Sequence, residues 1–73
     1  MKTTEYFEQK LVERFEVERE WCERVIKNPI REEVQLDGLR FWGIIPECSN
    51  KALRVVTLED RETMHNAFFD RNF

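Results

Sequence analysis

The chain has 73 residues, of which 41% are hydrophobic and 37% charged, and its net charge is −3. A chain of this length forms one domain, here residues 1–73, and buries only about 60% of the surface that its unfolded form exposes. The acidic balance disfavours nucleic-acid binding, which usually shows a basic excess. Residues 1–10 lack the apolar core of a signal peptide, and no run reaches the roughly 20 apolar residues of a membrane span, so we expect a cytoplasmic protein that does not contact a membrane.

Residues 4–27 have the composition of helix, with no glycine or proline and many Glu, Lys, Arg and Leu residues. Apolar residues recur at a spacing of four on one helical face: Phe7, Leu11 and Phe15. One continuous helix would be about 36 Å long, which is long for so small a core. The alternation of apolar and charged residues around 15–17 also resembles extended chain. We therefore predict two helices with a break near residues 15–18, and keep one long helix as the alternative.

Asn28-Pro29 ends the helical region, because proline disfavours helical geometry in the residue before it. From Ile30 the apolar period changes from 3.6 to 2, which is typical of strands. Asp37-Gly38 is a strong hairpin signal. The predicted strands are Ile30–Leu36, Leu39–Ile45, Ala52–Leu58 and Thr63–Phe69, with a polar loop at Pro46–Lys51 and a turn at Glu59–Glu62. Gly43 lies within the second strand, where a glycine marks a bulge or a close backbone approach.

The order of the predicted elements is two helices followed by four strands with short connections. Short connections imply antiparallel neighbours, since parallel strands need long crossovers. A run of helices followed by a run of strands is typical of an α+β fold. We therefore predict two N-terminal helices packed on one face of a four-stranded antiparallel sheet (ααββββ).

Function is expected on the sheet face that the helices leave open. Arg40, Arg54 and His65 lie on three different predicted strands. If they converge, they form a cationic site with one group that titrates near neutrality, which suits phosphodiester chemistry. Strict alternation along the fourth strand sets His65, Ala67 and Phe69 opposite Met64 and Phe68, but it does not decide which side faces the helices. The alternative is a structural histidine, with arginines that pair with glutamates across strands.

The two cysteines, Cys22 and Cys48, and the single histidine are too few and too scattered for a zinc site, so no metal or cofactor is expected. Two reduced thiols are the simplest interpretation for a cytosolic protein. So small a domain without a disulfide or a metal is expected to form an oligomer or to need a partner.

Four segments together resemble the short toxins of bacterial toxin–antitoxin pairs. They are Trp21–Pro29, Asp37–Gly43, Leu53–Val56 and the closing strand that holds His65. The chain is most similar to the BrnT-like group, which is related to RelE/ParE-type folds. The resemblance implies two helices before an antiparallel sheet, an RNA-cleaving endoribonuclease with basic residues on the exposed sheet face, and a cognate antitoxin as partner. Carried over by position, the implied site residues are Arg40, Arg54, His65 and Arg71.

The chain departs from these toxins in two respects. They tend to be basic, and the early histidine-containing segment of the BrnT-like group has no counterpart at residues 14–18, which read RFEVE. A non-catalytic relative is therefore an alternative. A further alternative is a non-enzymatic protein-binding or dimerisation module that uses aromatic strand residues: Phe41, Trp42, Phe68, Phe69 and Phe73.

Overall fold

A computed structural model describes residues 1–73, and its element order is the predicted ααββββ. The bounds are α1 Glu5–Glu13, α2 Arg19–Lys27, β1 Arg31–Gln35, β2 Gly38–Ile45, β3 Lys51–Thr57 and β4 Met64–Phe69. A single 3₁₀ turn, Pro46–Cys48, occupies part of the predicted loop between β2 and β3. The strands form one antiparallel sheet in the order β1-β2-β3-β4. The predicted α+β class is therefore confirmed.

The predicted break between the helices is confirmed, since α1 ends at Glu13 and α2 begins at Arg19. Within the break, Val17 is buried in the core, whereas Phe15 is 89% exposed. The predicted apolar face of Phe7, Leu11 and Phe15 is therefore wrong at Phe15. Once the helix ends, the spacing of four no longer keeps a residue on the same side, and Val17 fills the core instead.

The pairing of β3 with β4 shifts register after Val56. Val56 lies opposite Asn66 and Thr57 lies opposite Met64, so His65 is an extra residue without a partner on β3. Such a bulge changes which side chains share a face. Met64 and Ala67 are both buried among core residues, so strict alternation is wrong at the start of β4.

The helices cover one face of the sheet unequally, because α1 packs on β4 and α2 packs on β2 and β3. A single core lies between the layers: Phe7, Val17, Trp21, Cys22, Val25, Leu39, Phe41, Ile45, Leu53, Val55, Met64 and Ala67. Gly43 lets α2 approach β2, since a Cβ atom there would lie 2.8 Å from Val25 Cγ2. Neither helix has the length and apolar character to cross a membrane.

The two outer edges of the sheet differ in how they are covered. The backbone of residues 2–4 lies along the start of β4, with hydrogen bonds from Thr4 N–H to Met64 O (3.0 Å) and from Met64 N–H to Lys2 O (2.8 Å). Further along β4, Arg14 Nη1 donates to the carbonyl oxygen of Ala67 at 2.9 Å. The outer edge of β1 pairs with no other strand. One edge is thus capped and the other is open.

The two free cysteines are expected to differ sharply in reactivity. Cys22 is fully buried, and burial raises the pKa of its thiol to about 12, whereas Cys48 is only partly buried. Because the thiolate is the reactive form, Cys22 should not react in the folded protein. We expect a colourimetric thiol reagent to label one cysteine in native protein and both in denaturant, and a Cys48→Ser variant to show no native labelling. Rapid native labelling of Cys22 would contradict this packing.

Candidate functional site

The face of the sheet opposite the helices carries four side chains in one line across the strands. Arg31, Trp42, Arg54 and Phe68 are successive register partners on β1, β2, β3 and β4. Arg31 Cζ lies 5.1 Å from the Trp42 ring centroid, and Arg54 Cζ lies 5.5 Å from the Trp42 ring and 4.9 Å from the Phe68 ring. These distances are in the range of cation–π attraction. We call these four residues the arginine–aromatic row.

Arg14 extends the row beyond β4. It lies just after α1, and its Cζ is 5.6 Å from the Phe68 ring centroid. Its Nη1 donates to Asn66 Oδ1 at 2.7 Å, which holds it against the edge of the sheet. Sequence reasoning missed Arg14, because only the break between the helices turns this side chain towards the open face.

Asp70, which follows β4, contacts two residues of the row, Trp42 and Arg54. Its Oδ2 accepts a hydrogen bond from Trp42 Nε1 at 2.9 Å and lies 3.6 Å from Arg54 Nη1, while its Oδ1 accepts from Asn72 N–H at 2.9 Å. The hydrogen bond from Trp42, then that from Asn72, and then the charge of Arg54 lower the pKa of the Asp70 carboxyl. Phe73 stacks on Trp42 at 6.2 Å between centroids, so this tryptophan is buried although it lies on the open face.

Arg40 and Arg54 lie on the same face of adjacent strands, and the structure brings these two predicted site residues together. Arg40 is placed between Glu33 on β1 and Val56 on β3, and it forms no ion pair. The Nε–H groups of both arginines are buried without an acceptor in the chain. A guanidinium has five donors, so most of the hydrogen-bonding capacity of Arg40 is unused. Arg71, the third predicted arginine, is exposed after the end of β4.

His65 lies away from these arginines. Its Nδ1 is 3.0 Å from Oγ1 of Thr4, the residue that caps α1, and its ring stacks on Tyr6 with centroids 5.0 Å apart. It occupies the bulge at the outer edge of β4, where it supports the start of α1. The structure therefore does not bring His65 together with Arg40 and Arg54.

A groove of about 740 Å³ adjoins the row at the end of the sheet. Its apolar lining includes Ile44, Ala52, Phe68 and Phe73, and its basic lining consists of Arg14, Lys51 and Arg71. Arg71 thus belongs to the same surface as the row, although it is separate from Arg40. The groove offers flat apolar surface beside fixed positive charge.

The open face and its groove have a local excess of positive charge, although the whole chain is acidic. Their basic residues are Arg14, Arg31, Arg40, Lys51, Arg54 and Arg71, and their acidic residues are Glu16, Glu33 and Asp70. Elsewhere, acidic side chains are partly neutralised by ion pairs such as Arg19–Glu8 and Arg24–Glu47. The open face is therefore basic, although the net charge of the whole chain is −3.

Comparisons of the chain with protein-family models, with curated proteins and with solved structures find no match. The chemistry of the open face therefore rests on its own geometry. That geometry combines guanidinium groups with aromatic rings at stacking distance, on a sheet surface that no helix covers.

Proposed function

We propose that the open face binds a single-stranded segment of RNA, and that the chain is a small RNA-binding domain of the toxin-like kind that its sequence resembles. The observation that carries this proposal is the arginine–aromatic row, in which Arg54 lies between the rings of Trp42 and Phe68. Single-stranded RNA is bound by stacking of bases on aromatic rings and guanidinium planes, with basic groups on the phosphates. The row, together with Arg40 and Phe73 beside it, offers both.

The residues of the open face have different roles in the proposed RNA binding. Trp42 is buried beneath Phe73 and between two arginines, so it orients the row and does not itself offer a stacking surface. Phe68 is half-buried and Phe73 is 47% exposed, so these two rings can each take a base. Arg40, with no ion pair of its own, suits bidentate contact with a phosphate. In one common RNA-binding module, two or three bases stack on aromatic side chains of a four-stranded sheet.

Cleavage of RNA is a second and separate question within the proposal. Arg40 and Arg54 could stabilise the negative charge that develops on a phosphate during cleavage. The imidazole of His65, expected as an acid or base, instead contacts Thr4 and Tyr6. RNA binding therefore has more support than cleavage. A cognate antitoxin, which the resemblance implies, would be expected to cover the same face.

Binding is tested by fluorescence anisotropy with a short labelled single-stranded RNA of mixed sequence at low salt. We expect Arg54→Ala to weaken binding by at least about tenfold, or ~1.4 kcal/mol. Arg54→Lys should recover only part of the loss, because lysine keeps the charge but lacks the planar group that stacks. Arg24→Ala is the matched control, since it removes one arginine that pairs with Glu47 away from the open face. Its affinity should stay near that of the wild type.

Two results would contradict the proposal: no binding by the wild-type chain at low salt, or equal losses in Arg54→Ala and Arg24→Ala. Thermal melts of each variant separate lost binding from lost folding. Electrophoresis of the same RNA after incubation answers the question of cleavage. Fragments that disappear in Arg40→Ala would add endoribonuclease activity, whereas bound and intact RNA would define a binding domain.

A further inference from the structure

Strand β1 and the residues that flank it expose apolar side chains, and that of Val34 lies on the side of the sheet that the helices cover elsewhere. Val34 lies opposite Leu39, a core residue on β2, so it points to the helix side. Neither helix packs on β1, and Ile30, Val34 and Leu36 are 58%, 75% and 99% exposed. An edge strand with exposed apolar side chains is a template for pairing with another strand. This surface is separate from the arginine–aromatic row, except at Arg31.

The two edges of the sheet are not equally protected. Residues 2–4 and Arg14 occupy backbone groups along β4, as described above. Proteins usually protect edges in this way against association. At β1 the exposed apolar groups and the unpaired backbone edge coincide. The chain thus has one edge on which a further strand can be added.

We infer that this edge binds a second copy of the chain, with the two β1 strands antiparallel and the two-fold axis at Glu32. In this register Arg31 faces the partner's Glu33, and Ile30 faces the partner's Val34. By symmetry each pair occurs twice, the two charged pairs on the open face and the two apolar pairs on the opposite face. Oppositely charged and apolar cross-strand pairs both stabilise a sheet. The sequence of β1 is thus complementary to itself.

The charges also select among the possible registers. An axis at Glu33 would set the two Glu33 side chains against each other and leave Arg31 opposite Gln35. An axis at Val34 would set Arg31 against the partner's Asp37, but it would also set Glu32 against Leu36. With the axis at Glu32, the two Glu32 side chains meet, but each already forms an ion pair with Arg61 of its own chain. Like charges directly opposite each other are destabilising, which disfavours the axis at Glu33. The axis at Glu32 brings each Arg31, which already pairs with Glu33 of its own chain, to a second Glu33 and adds two pairs of Ile30 with Val34.

Such a dimer has an eight-stranded sheet, twice the four strands of one chain. A two-fold axis perpendicular to the sheet keeps the two open faces on the same side. The two arginine–aromatic rows would then form one continuous surface, with both Arg31 side chains near its centre. The dimer does not depend on RNA binding, so either idea can fail alone.

Light scattering after size exclusion, at about 10 to 500 µM protein, measures the monomer–dimer equilibrium. We expect the wild type to dimerise. In Arg31→Glu, an acidic residue 31 faces the partner's Glu33 at both symmetry-related positions. In Glu33→Arg, a basic residue 33 faces the partner's Arg31 at both positions. Each variant should therefore raise the dimer Kd at least about tenfold. An equimolar mixture of the two should form a heterodimer, because every facing pair is then oppositely charged. The double variant R31E/E33R should dimerise like the wild type.

Lys27→Glu is the matched control, because it makes the same change of charge as Arg31→Glu at the end of α2. It should leave the dimer intact. Val34→Lys should give a folded monomer, since this side chain is already exposed in one copy. A wild-type monomer at the highest concentration would overturn the inference. So would single charge variants that still dimerise, or a mixture that fails to restore association. If Arg31→Glu no longer dimerised while Glu33→Arg still did, the axis at Glu32 would be excluded.

Discussion

The Gly38→Ala variant is expected to lose about 3 kcal/mol or more of its free energy of unfolding. A Cβ atom at this position would overlap the carbonyl oxygen of Thr57, and the φ angle of Gly38, +157°, is one that side chains rarely adopt. Thr57 is fully buried on a central strand, and the obstacle is backbone, so no side-chain rotation relieves the overlap. Overpacking of this kind costs about 3 kcal/mol or more. A 73-residue domain has a total stability of roughly 4–11 kcal/mol, so the loss is a large part of it.

Gly43→Ala is the control for Gly38→Ala, because it adds the same methyl group to the same strand. There the new atom meets Val25 Cγ2 at 2.8 Å, and a side chain can shift. We expect a loss of about 1–2 kcal/mol. Urea denaturation followed by circular dichroism measures both variants. A Gly38→Ala protein as stable as Gly43→Ala would mean that the start of β2 can move away from β3.

Trp42→Ala is expected to destabilise the fold by about 3–5 kcal/mol and to abolish RNA binding. The tryptophan is only 5% exposed, and Arg31, Arg54 and Phe73 all rest on its ring. Its removal leaves a cavity, frees both arginines and leaves Asp70 without its main donor. Thermal denaturation and RNA anisotropy at a temperature where the variant is still folded measure the two effects separately.

Trp42→Phe separates the hydrogen bond from the ring. Phenylalanine keeps an aromatic surface for the arginines but lacks the Nε1 donor to Asp70, so we expect a loss of about 1–2 kcal/mol. Because that hydrogen bond is the main cause of the lowered pKa of Asp70, the pKa should rise in this variant, as measured by NMR titration of the carboxyl group. An unchanged Asp70 pKa would show that the hydrogen bond does not form in solution.

Signals within a few residues were sufficient to predict the elements. Asn28-Pro29 ends α2 after Lys27, as predicted. The turn between β1 and β2 consists of Leu36-Asp37, one residue before the predicted Asp37-Gly38, and Gly38 begins β2. Each predicted strand agrees with the structure to within one residue at either end. These signals act through local backbone preferences, so they do not depend on the rest of the fold. At Gly43, where a bulge or a close backbone approach was predicted, the pairing is regular and the side chain of Val25 on α2 lies close.

Local sequence patterns did not predict which side chains share the open face, because this depends on the bulge in β4 and on the direction of the chain after α1. One extra residue in β4 changes the side on which the residues before it lie, and nothing in the letters around His65 marks that bulge. The position of Arg14 depends on the angle at which the chain leaves α1. Arg40 and Arg54 share a face because both lie in regular, well-paired strands, where alternation holds.

The pairing of residues 2–4 with β4 has a consequence for the order of folding. Thr4, which caps α1, bonds through its backbone to Met64, so the start of the first helix is held by the fourth strand. Contacts between residues so far apart in the chain form late, because most of the polypeptide must already be ordered. We expect the hairpins of the sheet to assemble first and α1 to dock in the final step. During refolding, protection of backbone amides against hydrogen exchange should accordingly appear first in β2 and β3 and last in α1.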